Sequence, residues 1–172
     1  MPSLLQTLIN ICLFKASPQD LPAKQDLLVK VIIATLALFL IRNYYLIGGS
    51  RAIAISVTQV FLIGASLRVL LMVFKQTDRW TQAAMSIYGC WSILLVVILP
   101  VFMMNSGVEI KSTDLNLTTI MVLATTIWNF AVITRILKET LEINTPLAIL
   151  INFILELIFS TVLVSLFAGD VM

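Results

Sequence analysis

The side chains that could do chemistry in this sequence are a few polar residues inside long apolar runs. Glu156 is the clearest case, because it lies about ten residues into the apolar run 146–168. Asn152 and Ser160 lie four residues before and after Glu156, so the three side chains share one face of a helix. A polar group in hydrocarbon costs free energy unless it is paired. We therefore predict that this face points into the interior of a helix bundle.

The depth of other polar residues in their own apolar runs indicates partners for Glu156. Arg68 lies six residues from the end of the run 52–74. At 1.5 Å per helical residue, Arg68 and Glu156 differ in depth by about 6 Å, which a long arginine side chain can cover. Asn129 lies near the level of Glu156. The predicted intramembrane polar cluster consists of Glu156, Arg68, Asn129, Asn152 and Gln59.

This cluster has two interpretations. It is either a proton or substrate site, or a hydrogen-bonded lock between helices that contributes about 1 kcal/mol per bond. The sequence has no histidine and no second carboxylate deep in an apolar run to form a proton relay with Glu156. The residue types alone therefore favour the lock.

Other chemistry has little support in the residue types. Without histidine, the commonest general base and the commonest metal ligand are missing. Cys12 and Cys90 lie in different segments, so we predict neither a disulfide nor a metal site. Asp78 and Asp114 are too sparse for a catalytic cluster at the membrane surface. The net charge of +2 is too small and dispersed for nucleic-acid binding. We expect no enzyme activity, no cofactor and no nucleic-acid partner.

The elements that must position these residues are membrane spans. The 172 residues are 60% hydrophobic and 12% charged, far from the averages of soluble chains. Each long apolar run can cross a bilayer core of about 30 Å as a helix. The sequence predicts an all-α polytopic membrane helix bundle, a single membrane domain over 1–172. Its five transmembrane helices are predicted at about 27–45, 52–74, 80–104, 117–137 and 146–168.

The segment 1–26 precedes the first span and is predicted to form a short interfacial helix followed by a proline elbow. Its apolar residues recur at helical spacing, which is typical of an amphipathic helix at the membrane surface. Pro18 and Pro22 exclude one continuous helix, and Ser17 is placed to cap a short turn with Asp20 at its third position. The elbow either lets the chain enter the bilayer or is a docking surface for a partner.

The ends of the spans carry further signals. Arg42, Tyr44 and Tyr45 are interpreted as interface anchors of the first span, and the glycines at 48 and 49 as a tight turn. Pro100 is predicted to kink the third span, which the polar loop 105–116 follows. Thr145 and Pro146 form a favourable helix start, with a capping hydroxyl before the proline.

The positive charges predict an orientation. Eight lysines and arginines fall on the side of the N-terminus and three on the opposite side. Because cytoplasmic loops carry the excess of positive charge, we expect a cytoplasmic N-terminus. Five spans then place the C-terminus outside.

The segment 82–101 carries a family resemblance. A charged joint at 75–82 leads into a span with the pair Tyr88-Gly89 and with Pro100 further along. This pattern resembles the Yip1 family of small multispan membrane proteins, and the expected five spans and orientation are similar to its layout. The resemblance implies a compact bacterial-type relative in the inner membrane, in a group without an agreed biochemical activity.

Two functions follow from these observations. The first is a noncatalytic scaffold or accessory subunit of Yip1-like type, whose partners are the lipid bilayer and other membrane proteins or a second copy of the chain. The alternative is a small transporter or proton-coupled permease centred on Glu156. A dry, hydrogen-bonded Glu156 favours the scaffold, whereas a water-filled cleft at Glu156 favours transport.

Overall fold

The computed structural model describes residues 3–104 and 117–167, and within these ranges the regular structure is entirely helical. Five of the helices are long and apolar enough to cross a membrane, which confirms the predicted fold class. The loop 105–116 and the predicted end of the last span at residue 168 lie outside the described residues. The helices are α1 (Leu4–Cys12), α2 (Gln25–Leu46), α3 (Gly49–Val73), α4 (Trp80–Met104), α5 (Leu117–Leu141) and α6 (Thr145–Phe167).

Helix α4 is the centre of the bundle and α6 lies at its edge. Helices α1, α2, α3 and α5 all pack on α4, whereas α6 packs mainly on α5 and less on α3. The apolar segment of α4 is accordingly 50% buried and that of α6 only 11%. Residues 83–90 of α4 are all buried, and five of these eight are alanine, serine, glycine or cysteine. Such small side chains let neighbouring helices approach closely.

Two polar contacts fix the position of α4 against its neighbours. Tyr88 Oη donates a hydrogen bond to the Val60 carbonyl of α3 over 2.7 Å. A Cβ added at Gly64 would lie 2.8 Å from the same Oη, so the close approach depends on this glycine. The Oγ1 of Thr35, which is fully buried in α2, lies 2.8 Å from Ser92 Oγ and 3.0 Å from the Tyr88 carbonyl.

The connections between helices largely follow the predicted signals. Ser17 and Asp20 cap the short 3-10 turn Pro18–Asp20 reciprocally, as predicted. The turn between α2 and α3 has positive φ at both Gly48 and Gly49, a conformation that glycine adopts without steric cost. At α6, however, the capping residue is Asn144 rather than Thr145. Asn144 Oδ1 accepts from the Leu147 N–H over 3.0 Å.

Some span boundaries differ from the prediction. Helix α5 continues to Leu141, four residues beyond the predicted end at 137. Two of the charged residues that suggested an exit pair along the helix, since Arg135 Nε donates to Glu139 Oε1 over 2.6 Å. Helix α4 runs through Pro100 to Met104 without interruption.

Helix α1 packs against the side of the bundle. A Cβ added at Gly89 of α4 would lie 2.5 Å from a methyl carbon of Leu8, so these two helices are in close contact. Trp128 Nε1 of α5 donates to the Cys12 carbonyl over 3.0 Å. The contact at Gly89 lies nine residues from the start of α4, or about 13 Å along the helix. Leu5, on the outward face of α1, is exposed.

Candidate functional site

Glu156 lines three adjoining cavities in the middle of the bundle. Their volumes are about 180 Å³, 430 Å³ and 30 Å³, and Trp91 of α4 lines all three with Glu156. Among residues 3–104 and 117–167, no group forms a hydrogen bond or an ion pair with the carboxyl group of Glu156. A carboxyl group with apolar neighbours and no partner is a costly arrangement that marks a functional candidate.

The largest of these cavities brings Glu156 together with Arg42 of α2 and Asn129 of α5. Its walls are mainly apolar and come from α4, α5 and α6, with Thr125 and Thr126 as further polar residues. Both threonine hydroxyls donate to carbonyls of their own helix over 2.8 Å. Asn129 Oδ1 is buried and has no hydrogen-bond partner in the described part of the chain. The cavity therefore offers one cation, one carboxyl group and one unsatisfied amide oxygen.

Arg42 is held in place by neutral groups rather than by an acid. Its Nη2 donates to Gln59 Oε1 over 3.1 Å and to Asn43 Oδ1 over 3.0 Å. Its Cζ lies 5.0 Å from the centroid of the Phe39 ring, within range of a cation–π contact. No carboxylate of the described residues forms an ion pair with Arg42. The positive charge facing the cavity is thus positioned but not neutralised.

The amide network around Arg42 keeps it rigid. Asn43 Nδ2 donates to Ser56 Oγ over 2.9 Å and to Gln59 Oε1 over 3.1 Å. Asn43 and Ser56 are both buried, and each belongs to a different arm of the α2–α3 hairpin. The network therefore fixes both the hairpin and the direction of the arginine.

The residues of the predicted cluster differ in their contacts. Gln59 and Asn129 each line a cavity with Glu156, as the prediction of one cluster requires. Asn152 lies beside the smallest cavity, but its side-chain NH₂ group is hydrogen-bonded to α5. Its Nδ2 donates to the Phe130 carbonyl and to Thr134 Oγ1, both over 3.0 Å, and so joins α6 to α5. Asn152 thus has the contacts expected of a lock between helices, whereas the Glu156 carboxyl group has no partner among the described residues.

The structure does not bring Arg68 to Glu156. Arg68 is exposed, and its Cζ lies 5.3 Å from the centroid of the Trp80 ring. The arginine at the cavity is Arg42, which the sequence pattern assigned to an interface anchor. The adjacent Arg42 and Asn43 were the available signal, because the short turn of the α2–α3 hairpin brings them near the polar residues of α3.

Neither a metal site nor a similar protein indicates a function for this chain. The described ranges 3–104 and 117–167 hold no group of three or more histidine, cysteine or acidic residues that could bind a metal. Cys12 and Cys90 are free thiols, both buried. Comparison with protein-family models, curated proteins and solved structures gave no match. Function must therefore be argued from the geometry around Glu156.

Proposed function

We propose that the protein is a small proton-coupled permease centred on Glu156. The observation that carries the proposal is that Glu156 lines open cavities and has no partner among the described residues. In a structural lock, the polar side chain is hydrogen-bonded to another helix, as the Asn152 amide is to α5. An unpartnered carboxyl group in an apolar setting instead takes up and releases a proton or a ligand group.

The chemistry of the cavity indicates how a solute would bind. Arg42 would hold an anionic group of the solute, and Asn129 Oδ1 would accept a hydrogen bond from an N–H or O–H donor elsewhere on the solute. Glu156 would carry the proton that accompanies the solute. The mainly apolar walls and a volume of about 430 Å³ suit a small solute with an apolar body.

The packing of α6 supports movement at this site. Because α6 is the least buried of the five long helices, its displacement breaks few contacts. Glu156 lies on α6, whereas Arg42 lies on α2 in the better-packed part of the bundle. A shift of α6 would therefore change the access to Glu156 while Arg42 stays in place.

The first test is the protonation of Glu156 in nanodiscs, followed by infrared difference spectroscopy from about pH 5 to about pH 9. We expect a carboxylic-acid band that titrates in this range and is absent in Glu156→Gln. Asp26→Asn, at an exposed carboxylate in the first turn of α2, is the control that should keep the band.

The same experiment separates the two functions. A band that titrates shows proton access and supports the permease. A Glu156 that stays in one state throughout, in a folded protein, contradicts it and favours the scaffold. The observation in favour of a scaffold is the apolar outer surface of α6, where Leu150, Phe153 and Leu157 are each more than half exposed. Such a surface can pack on lipid, on another membrane protein or on a second copy.

The cellular setting is proposed on the sequence alone. The excess of positive charge at the N-terminal side supports a cytoplasmic N-terminus and an external C-terminus. The resemblance to small Yip1-like proteins supports a place in a bacterial inner membrane. In this orientation Arg42 lies towards the external end of α2, so a solute that enters from outside would bind to Arg42 first.

A further inference from the structure

A groove on the outer surface of α5 and α6 lies apart from the cavities at Glu156. It has a volume of about 400 Å³ and is lined by Phe130, Ala131, Arg135, Lys138, Thr145 and Ile149 among others. Ala131, Lys138, Thr145 and Ile149 are exposed, so the groove opens away from the bundle. The exposed Ala131 contributes only a methyl group to the wall of the groove.

The polar and apolar residues of this groove are separated along its length. Lys138 lies in the last turn of α5 and Thr145 begins α6, so both lie at the end of the bundle. Ala131 lies about 10 Å further along α5, and Ile149 about one turn into α6. The groove is therefore basic and hydroxylic at the membrane surface and apolar below it.

The charges at the surface end are only partly neutralised. Arg135 Nε donates a hydrogen bond to Glu139 Oε1, and the Arg135 Cζ lies 5.6 Å from the centroid of the Phe14 ring. Lys138 has no ion pair within the described ranges. The positive end of the α6 dipole lies beside it at Thr145. One cation without an ion pair to a described residue thus faces the surface end of the groove.

We infer that this groove binds one anionic phospholipid. Lys138 and the Thr145 hydroxyl would hold the headgroup phosphate, and an acyl chain would lie over Ala131 and against Ile149. A basic pocket above an apolar channel between two membrane helices matches the charge and shape of such a lipid. A soluble acidic protein would not use the apolar half, which lies at the depth of the hydrocarbon. This inference does not depend on transport at Glu156.

The test counts lipids that remain bound to the full chain by native mass spectrometry, with phosphatidylglycerol and phosphatidylcholine as competing probes. We expect one phosphatidylglycerol to be preferred, and Lys138→Gln to weaken that preference about fivefold, the contribution expected of one basic residue near the surface. Lys75→Gln is the matched control, because Lys75 is an exposed lysine after α3 that lines no part of this groove.

A second variant tests the apolar half of the groove. Ala131→Trp fills the groove without changing charge and should reduce the binding of both lipids. Equal effects of Lys138→Gln and Lys75→Gln would overturn the inference, because general surface charge would then explain the preference. Unchanged lipid binding in Ala131→Trp would also overturn it. Displacement of the lipid by inorganic phosphate would point to a phosphate site and equally contradict the lipid assignment.

Discussion

At the scale of single residues, two polar side chains on the same face of one helix have different surroundings. Asn152 and Glu156 are one turn apart on α6, yet Asn152 is buried with two hydrogen bonds and Glu156 has none in the described part of the chain. The difference comes from the neighbours, since α5 presents the Phe130 carbonyl and Thr134 Oγ1 to Asn152 but an open cavity to Glu156. Replacing each residue should therefore have a different consequence.

Asn152→Leu should lower the free energy of unfolding by about 1–2 kcal/mol, because two hydrogen bonds between α5 and α6 are lost while the volume is nearly kept. Reversible unfolding in bicelles measures this difference. Ser160→Ala is the control, since the exposed Ser160 hydroxyl donates only to the Leu157 carbonyl of its own helix. An equal loss in both variants would mean that Asn152 does not join the two helices.

The residues of the site were only partly predictable from the sequence. The spacing of Asn152 and Glu156 and their depth in the last span were sufficient to identify them as candidates. The choice between Arg42 and Arg68 was not, because depth along a span says nothing about the rotation of a helix. Arg68 points to the surface near Trp80, whereas Arg42 is turned inwards by Asn43 and Gln59. Rotation depends on packing between helices that are distant in the sequence.

At the scale of helices, the spans were predictable but several ends were not. Hydropathy located all five long helices because the lipid environment requires long apolar segments. Three helices, however, end at a non-glycine residue with positive φ: Phe14 after α1, Lys75 after α3 and Glu142 after α5. At each end, the following N–H donates to a carbonyl five residues earlier, as in a Schellman motif. No glycine signals these ends in the sequence.

This conformation predicts that Lys75→Gly stabilises the protein. A left-handed conformation costs an L-residue about 1–2 kcal/mol, a cost that glycine avoids. The greater conformational entropy of glycine in the unfolded chain offsets about 0.5–1 kcal/mol of this gain in stability. The net increase in the free energy of unfolding should be about 0.5–1 kcal/mol. The exposed Lys75 has no side-chain hydrogen bond or ion pair to a described residue, so little else is lost.

Lys30→Gly is the matched control for this prediction, because Lys30 is an exposed lysine inside α2. There glycine should reduce the free energy of unfolding by about 1 kcal/mol. Both variants are measured by reversible unfolding in the same detergent. Destabilisation by Lys75→Gly to the same extent would show that the end of α3 does not adopt the left-handed conformation.

At the scale of the whole molecule, α4 joins a membrane bundle to a short N-terminal helix. The sequence indicated both parts but not the contact between them. That contact depends on Gly89, and its partner Leu8 lies about 80 residues earlier in the chain. Gly89 faces Leu8 of α1, and Gly64 of α3 faces Tyr88 on the same turn of α4. The two glycines therefore allow different neighbours to approach α4 closely: α3 at Gly64 and α1 at Gly89.

Gly89→Ala should displace α1, because the new Cβ would lie 2.5 Å from one Leu8 methyl carbon and 2.7 Å from the other. Overpacking of this kind costs about 1–3 kcal/mol. It should also speed up tryptic cleavage at Lys15, which follows α1. Leu8→Ala makes room for the new methyl group, so the double variant should be hardly less stable than Leu8→Ala alone.

Gly64→Ala supplies the comparison, because its Cβ would meet Tyr88 Oη at 2.8 Å on the α3 side. It should lower the free energy of unfolding as well, but Leu8→Ala should not relieve that loss, since the contact that Gly64→Ala disturbs involves Tyr88 and not Leu8. Strict additivity of Leu8→Ala with Gly89→Ala would mean that α1 does not pack at Gly89. Rescue confined to Gly89→Ala would establish that α1 packs on α4 at Gly89 and so belongs to the folded bundle.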